Sequence, residues 1–165
     1  LMSMELVKKG INLATIYRPL NNFFINPIME YIRRNYVCKN QIKKGLSGVK
    51  DSIKFLKKNT SVALMVDQRV TEGEKLKLFG KDTYTTTLPA QLALKFNCDI
   101  IPIYTARLEN KFEMKIFQPI LVKDYQYLAN PNKIKLALSL KINLTLEKMI
   151  AQDPGQWILT HNKWK

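Results

Sequence analysis

Arg18 and Pro19 follow Ile11–Tyr17, a short β-rich apolar run that reads as a buried strand. In α/β sheets, ligands bind outside the carboxyl ends of strands, so a cation there stands where a ligand would arrive. Taken alone, these residues favour a plainer reading, an arginine paired with a local carboxylate. Asn21 and Asn22 come next. They offer hydrogen bonds to sugar hydroxyls or, more simply, a cap for the following helix. Asp67 and Gln68 close a second apolar run, Val62–Val66. They form either a site wall that orients Arg18 or its ligand, or a polar strand terminus satisfied by backbone groups. His161 is the only histidine, and no acidic residue follows it before Lys165.

The elements that must position these residues alternate between strand and helix. Glu5–Gly10 reads as the end of a helix running into a glycine stop. The spacing predicts a helix over 20–36, kinked or divided at Pro27. A second amphipathic helix, 47–58, has Val49, Ile53 and Leu56 on one side, lysines on the other and Ser47 as its cap. Extended residues 76–79 and a turn at Gly80 precede a helix over 85–97, capped by Thr85, Thr86 or Thr87. Residues 99–107 and 111–117 read as a hairpin turning at Asn110. A long helix over 130–152 stops at Asp153-Pro154-Gly155. This order predicts an α/β fold, a mixed sheet flanked by helices.

The 165 residues are 46% hydrophobic, enough for one core. The net charge is +14, and residues 1–58 alone hold 12 basic and 3 acidic residues. Such an excess favours a polyanionic partner: nucleic acid, anionic lipid headgroups or a phosphorylated glycolipid. No recognition motif for nucleic acid accompanies the charge, so no nucleic acid is expected. Cys38 and Cys98 lack the spacing of a zinc site and read as reduced thiols, with Cys98 buried; no metal is expected. No apolar run approaches the ~20 residues that span a bilayer. Asn143-Leu144-Thr145 has the form of a glycosylation acceptor but lies within a predicted helix.

Several segments, in order, resemble one family. Tyr17-Arg18-Pro19-Leu20-Asn21-Asn22 resembles the Tyr-Arg-Pro…Asn-Asn signature of the bacterial lipid A late acyltransferases, the lauroyl/myristoyl transferases. Met65-Val66-Asp67-Gln68 resembles that family's strand-end Asp-Gln. Leu78-Phe79-Gly80 with Thr85-Thr86-Thr87 resembles its Phe-Phe-Gly block. Pro154-Gly155-Gln156-Trp157, continuing to His161-Asn162-Lys163-Trp164-Lys165, resembles its C-terminal motif. Residues 98–104 resemble a block shared with glycerolipid acyltransferases. Thr71-Glu72-Gly73-Glu74 departs from the phosphate-binding block of those enzymes, and reads as a loop.

The resemblance implies transfer of a fatty acyl chain from acyl carrier protein to a hydroxyl of a lipid A precursor, at the cytoplasmic face of the inner membrane. It implies no cofactor beyond that donor. It makes Arg18 a candidate for a substrate phosphate or carbonyl, with Asn21, Asn22, Asp67 and Gln68 as further substrate-binding candidates. Phe23 and Phe24 beside Arg33 and Arg34 become candidates for contact with an anionic membrane surface. The family's general base is a histidine with an acidic residue five positions on, and this sequence has no such pair. His161 therefore reads as structural and no catalytic residue is assigned. The expectation is a single, incomplete domain over residues 1–165, a C-terminal portion lacking a membrane helix and the base, peripheral to the membrane and inactive alone. A separately encoded N-terminal half would be a further partner. The alternative is a basic module that binds nucleic acid or anionic lipid without catalysis.

Overall fold

The run at 11–17 forms β1 (Leu13–Tyr17), the central strand of a three-stranded parallel sheet ordered β2-β1-β3. The computed structural model describes residues 1–70, 73–158, 163 and 164. Thr71, Glu72 and His161, to which the sequence draws attention, lie outside the described residues. The chain divides into two units, Leu1–Met65 and Val66–Lys165.

In the first unit, β2 (Asn40–Lys43) pairs along β1 from Ala14–Asn40 to Tyr17–Lys43, and β3 (Ser61–Ala63) pairs on the other side. Helices α1 (Met2–Lys8) and α3 (Leu46–Lys57) pack on this sheet and bury Leu6, Leu13, Ala14, Cys38 and Ile42. Gly48 of α3 lies so close to the sheet that a Cβ there would stand 2.2 Å from the Lys43 carbonyl oxygen. The predicted cap Ser47 falls inside α3, which Gly45 precedes at φ +132°, a conformation that favours glycine. Helix α2 (Ile25–Ile32) is shorter than the pattern over 20–36 predicts. Pro27 falls in its first turn, where no intrahelical N–H partner is needed, so it causes no kink. The irregularity comes later, as a π-helical turn over Arg33–Val37.

In the second unit, α5 (Pro131–Ile150) is the central helix. Asn130 caps it, its side chain accepting from the N–H groups of Asn132 and Lys133. Its apolar face meets α4 (Leu88–Phe96) in a core of Ala90, Ala93, Ile120, Val122, Ile134, Leu138 and Ile142. A hairpin of β4 (Glu74–Leu78) and β5 (Lys81–Thr85) turns through Phe79 (φ +50°) and Gly80 (φ +72°). Two left-handed residues match the twist of a two-residue hairpin. The expected second hairpin forms from β6 (Ile103–Leu108) and β7 (Lys111–Ile116). The class is α/β, as the residue order predicts; among the described residues the strands pair as three small sheets.

Cys38, not Cys98, is the fully buried thiol; it donates to the Leu13 carbonyl at 3.0 Å. Asn143 is 1% exposed on α5, so it is no glycan acceptor. Its amide donates to the Lys77 carbonyl at 3.0 Å and to Thr85 Oγ1 at 2.9 Å, fastening the hairpin to α5. Asn143→Ala strands a part-buried carbonyl and a buried hydroxyl, and should destabilise the protein by about 2–4 kcal/mol. Urea denaturation followed by circular dichroism measures this; an unchanged midpoint would show that the fastening contributes nothing.

Candidate functional site

At the carboxyl end of β1, three donors converge on one oxygen. Tyr17 Oη donates to Glu30 Oε1 at 2.9 Å, Asn26 Nδ2 donates to the same atom at 2.9 Å, and Lys43 Nζ lies 3.1 Å from it. Residues Asn26 and Glu30 stand one helical turn apart on α2, so both face the strand end. The hydrogen bond from Asn26, then those from Tyr17 and Lys43, hold the Glu30 carboxyl down at about 2. Burial, reinforced by the bond to Glu30, pushes the Tyr17 phenol up to about 12. The Arg33 guanidinium sits 4.9 Å from the centre of the Tyr17 ring. Asn26 also accepts from the Leu20 backbone N–H at 2.9 Å.

Arg18 lies between these two tethered residues. It is exposed, and it makes no hydrogen bond or ion pair among the described residues. The plainer expectation, an arginine paired with a local carboxylate, is not met among the described residues; Glu30 at this strand end is bonded to Tyr17, Asn26 and Lys43. Asn22 is a cap: its Oδ1 accepts from the N–H groups of Phe24 at 3.0 Å and Ile25 at 3.2 Å. Asn21 is exposed beside it. Phe23 and Phe24 are 83% and 84% exposed, edge to face with each other. Arg34 is exposed; Arg33 turns inward over Tyr17, with one guanidinium nitrogen buried.

Asp67 and Gln68 belong to the second unit and do not directly follow a strand, since β3 ends at Ala63. Gln68 is exposed, and Asp67 is half-buried. One oxygen of Asp67 is buried with no hydrogen-bond partner among the described residues. Lys163 is 3% exposed and donates to the Val66 carbonyl at 2.9 Å. Burial pushes its ammonium down to about 8, against the pull of the Asp67 carboxylate. Nearby, the quoted motifs of this unit pack on one another. Trp157 and Trp164 join Leu78, Leu146 and Ile150 in a second apolar cluster, with the Phe79 ring 6.3 Å from that of Trp157. Gln156 accepts from the Arg107 N–H at 2.7 Å and donates to its carbonyl at 2.9 Å, pairing with β6 as another strand would. These side chains build the unit; their contacts are to backbone and to each other.

The model of the bacterial lipid A biosynthesis acyltransferase family matches residues 1–165. The chain belongs to that family. No curated protein matches it. Membership gives the general activity, lipid A acyl transfer, with a lipid A-type acceptor in bacterial membrane-linked synthesis. Among the described residues no helix is long and apolar enough to cross a membrane, and no three His, Cys, Asp or Glu side chains gather as metal ligands.

Sequence reasoning misses Asn26, Glu30 and Lys43. A signal for Glu30 exists: between Glu5 and Asp51 it is the only acidic residue, set among nine basic ones. The Asn26–Glu30 spacing on a helix is the second clue. Lys163 appears only inside a motif, and nothing in its spacing announces burial.

Lys163 gives a test of the second unit. A lysine whose ammonium is pushed down in the folded state binds fewer protons there than in the unfolded chain. Its contribution to stability therefore rises as pH climbs from about 8 towards the ordinary lysine value of 10.5. Thermal melts of wild type and Lys163→Met across that range should show the rise in wild type and its loss in the variant. Parallel curves would place Lys163 in water.

Proposed function

We propose that this chain is the acceptor-binding portion of a lipid A late acyltransferase, in which an acyl chain passes from acyl carrier protein to a hydroxyl of a lipid A precursor. The observation that carries this reading is Arg18, an exposed cation without a counter-ion among the described residues, at the carboxyl end of a parallel strand. A guanidinium presents paired N–H donors that match phosphate oxygens. Asn21 is the adjacent polar group able to reach sugar hydroxyls, while Asn22 supports the turn. Asp67 and Gln68 are kept as substrate-binding candidates in the second unit. Acyl carrier protein is acidic, and the +14 net charge supports its recruitment. One family model running through both units supports reading residues 1–165 as one domain.

The chemistry needs a base to take the acceptor hydroxyl's proton. Among these 165 residues no histidine has an acidic residue five positions on. Residues 1–165 by themselves therefore bind and do not transfer; a separately encoded half carrying the base would restore transfer on mixing.

Binding of a phosphorylated lipid A precursor in neutral detergent micelles tests the reading, with acyl transfer from acyl carrier protein followed in the same samples. Wild type should bind the precursor and leave the acyl donor unconsumed. Arg18→Ala should weaken binding about ten- to a hundredfold, the loss of a charge-assisted contact. Equal affinity of wild type and variant would remove Arg18 from the site.

The membrane contact expected at Phe23, Phe24, Arg33 and Arg34 rests on a separate observation, with Arg33 itself turned inward over Tyr17. The first turn of α2 and the residues before it expose Leu20, Phe23, Phe24, Ile25 and Ile28 together, in a unit rich in lysine and arginine. Such a face suits the headgroup level of an anionic bilayer on the cytoplasmic side of the inner membrane. Replacing both phenylalanines by serine should cut sedimentation with phosphatidylglycerol vesicles at least fivefold, given about 2 kcal/mol per fully buried aromatic. Undiminished sedimentation would leave charge as the sole attraction.

A further inference from the structure

We infer that Asn26 and Glu30 are positioning residues for Arg18, and that they give the site its preference for a phosphorylated glycolipid over its dephosphorylated form. The inference rests on the reading of Arg18 as the phosphate-binding cation. Three tethers carry it. Immediately before Arg18, the Tyr17 hydroxyl is bound to Glu30 Oε1 at 2.9 Å. Two residues after it, the Leu20 N–H is bound to Asn26 Oδ1 at 2.9 Å, and Asn26 in turn donates to Glu30 at 2.9 Å. From the sheet side, the Tyr17 carbonyl accepts from the Lys44 N–H at 2.8 Å. Pro19, inside this bracket, has its φ fixed by its ring. The backbone that carries Arg18 is thus held on both flanks by one turn of α2.

The same arrangement decides what the guanidinium can meet. Glu30 is held ionised by its three donors. Its Oε1 is bonded to Tyr17, Asn26 and Lys43, and Arg18 makes no ion pair among the described residues, so its donors stand open to an external anion. A guanidinium on an ordered backbone loses less freedom when it closes on a phosphate than one on a loose loop. Disturbing Asn26 or Glu30 should therefore reduce the phosphate-dependent part of binding and leave the remainder intact.

The test compares affinities of the 165-residue protein for phosphorylated and dephosphorylated lipid A precursor in neutral detergent micelles. The variants are Arg18→Ala, Asn26→Ala, Glu30→Gln and Tyr17→Phe, alone and with Arg18→Ala. Single tether variants should weaken binding of the phosphorylated form about three- to tenfold and leave the dephosphorylated form unchanged, and none should weaken it further once Arg18 is alanine. Tyr17→Phe removes one hydroxyl and keeps the ring under Arg33, so it carries the test should Glu30→Gln not fold. Fully multiplicative losses with Arg18→Ala, or equal losses for both ligands, would reduce Asn26 and Glu30 to general support of the fold and overturn the inference. An Arg18→Ala variant that binds like wild type would overturn the proposed site as well, which separates the two failures.

Discussion

A single oxygen, Glu30 Oε1, takes hydrogen bonds from Tyr17 and Asn26 and the ammonium of Lys43. These three donors are unequal. Lys43 is more than half exposed, and exposed ion pairs contribute about 0–1 kcal/mol. Tyr17 and Asn26 are shielded neutral donors to a charged acceptor, a class worth about 1.5–3 kcal/mol each. They hold most of the carboxylate's stabilisation, and both come from residues that also fix the main chain around Arg18. The network does two jobs with one charge: it locks α2 to the end of β1, and it ties the main chain on both flanks of Arg18.

The second unit uses polar side chains differently. Asn143, Gln156 and Lys163 each reach a backbone carbonyl, and Asn130 caps α5. Together with the cluster of Trp157, Trp164 and Leu78 they join the hairpins and the C-terminal residues to α5. Buried polar groups are costly unless paired, so side chains committed in this way are unavailable to a ligand. The motifs of the second unit are thereby accounted for largely by folding, and the open cation of the first unit carries more of the functional reading.

Long, strongly periodic segments were legible in the sequence. The long helix read over 130–152 and the hairpin read over 99–107 and 111–117 follow from residue order and spacing, and form as α5 and as β6 with β7. Strand β2 was not, because only Ile42 of its four residues is buried, and its polar neighbours look like loop. Strand β5 was hidden for the same reason: Lys81–Thr85 is polar, and its buried members are threonines that pair or hydrogen-bond. The choice between Cys38 and Cys98 depended on which strand ends meet, a tertiary fact. At the site, Arg18 was visible through its motif and Asn22 through capping preference. The roles of Asn26, Glu30 and Lys43 required knowing that α2 folds back on β1 and that β2 ends beside it. No local pattern encodes that convergence.

A basic surface alone does not make a phosphate site. The excess charge over residues 1–58 attracts any polyanion, and that attraction fades beyond about 8–10 Å at physiological salt. It raises the local concentration of acidic partners and membranes without choosing among them. Choice requires a donor group at a fixed place with its own valence unspent. Most of the lysines here lie on exposed faces with long, mobile stems, so their attraction is diffuse. Arg18 differs because its flanking residues are tied to a helix, its neighbour is a proline, and it makes no ion pair among the described residues. Order at one guanidinium, set against a diffuse field, turns general attraction to anions into recognition of one.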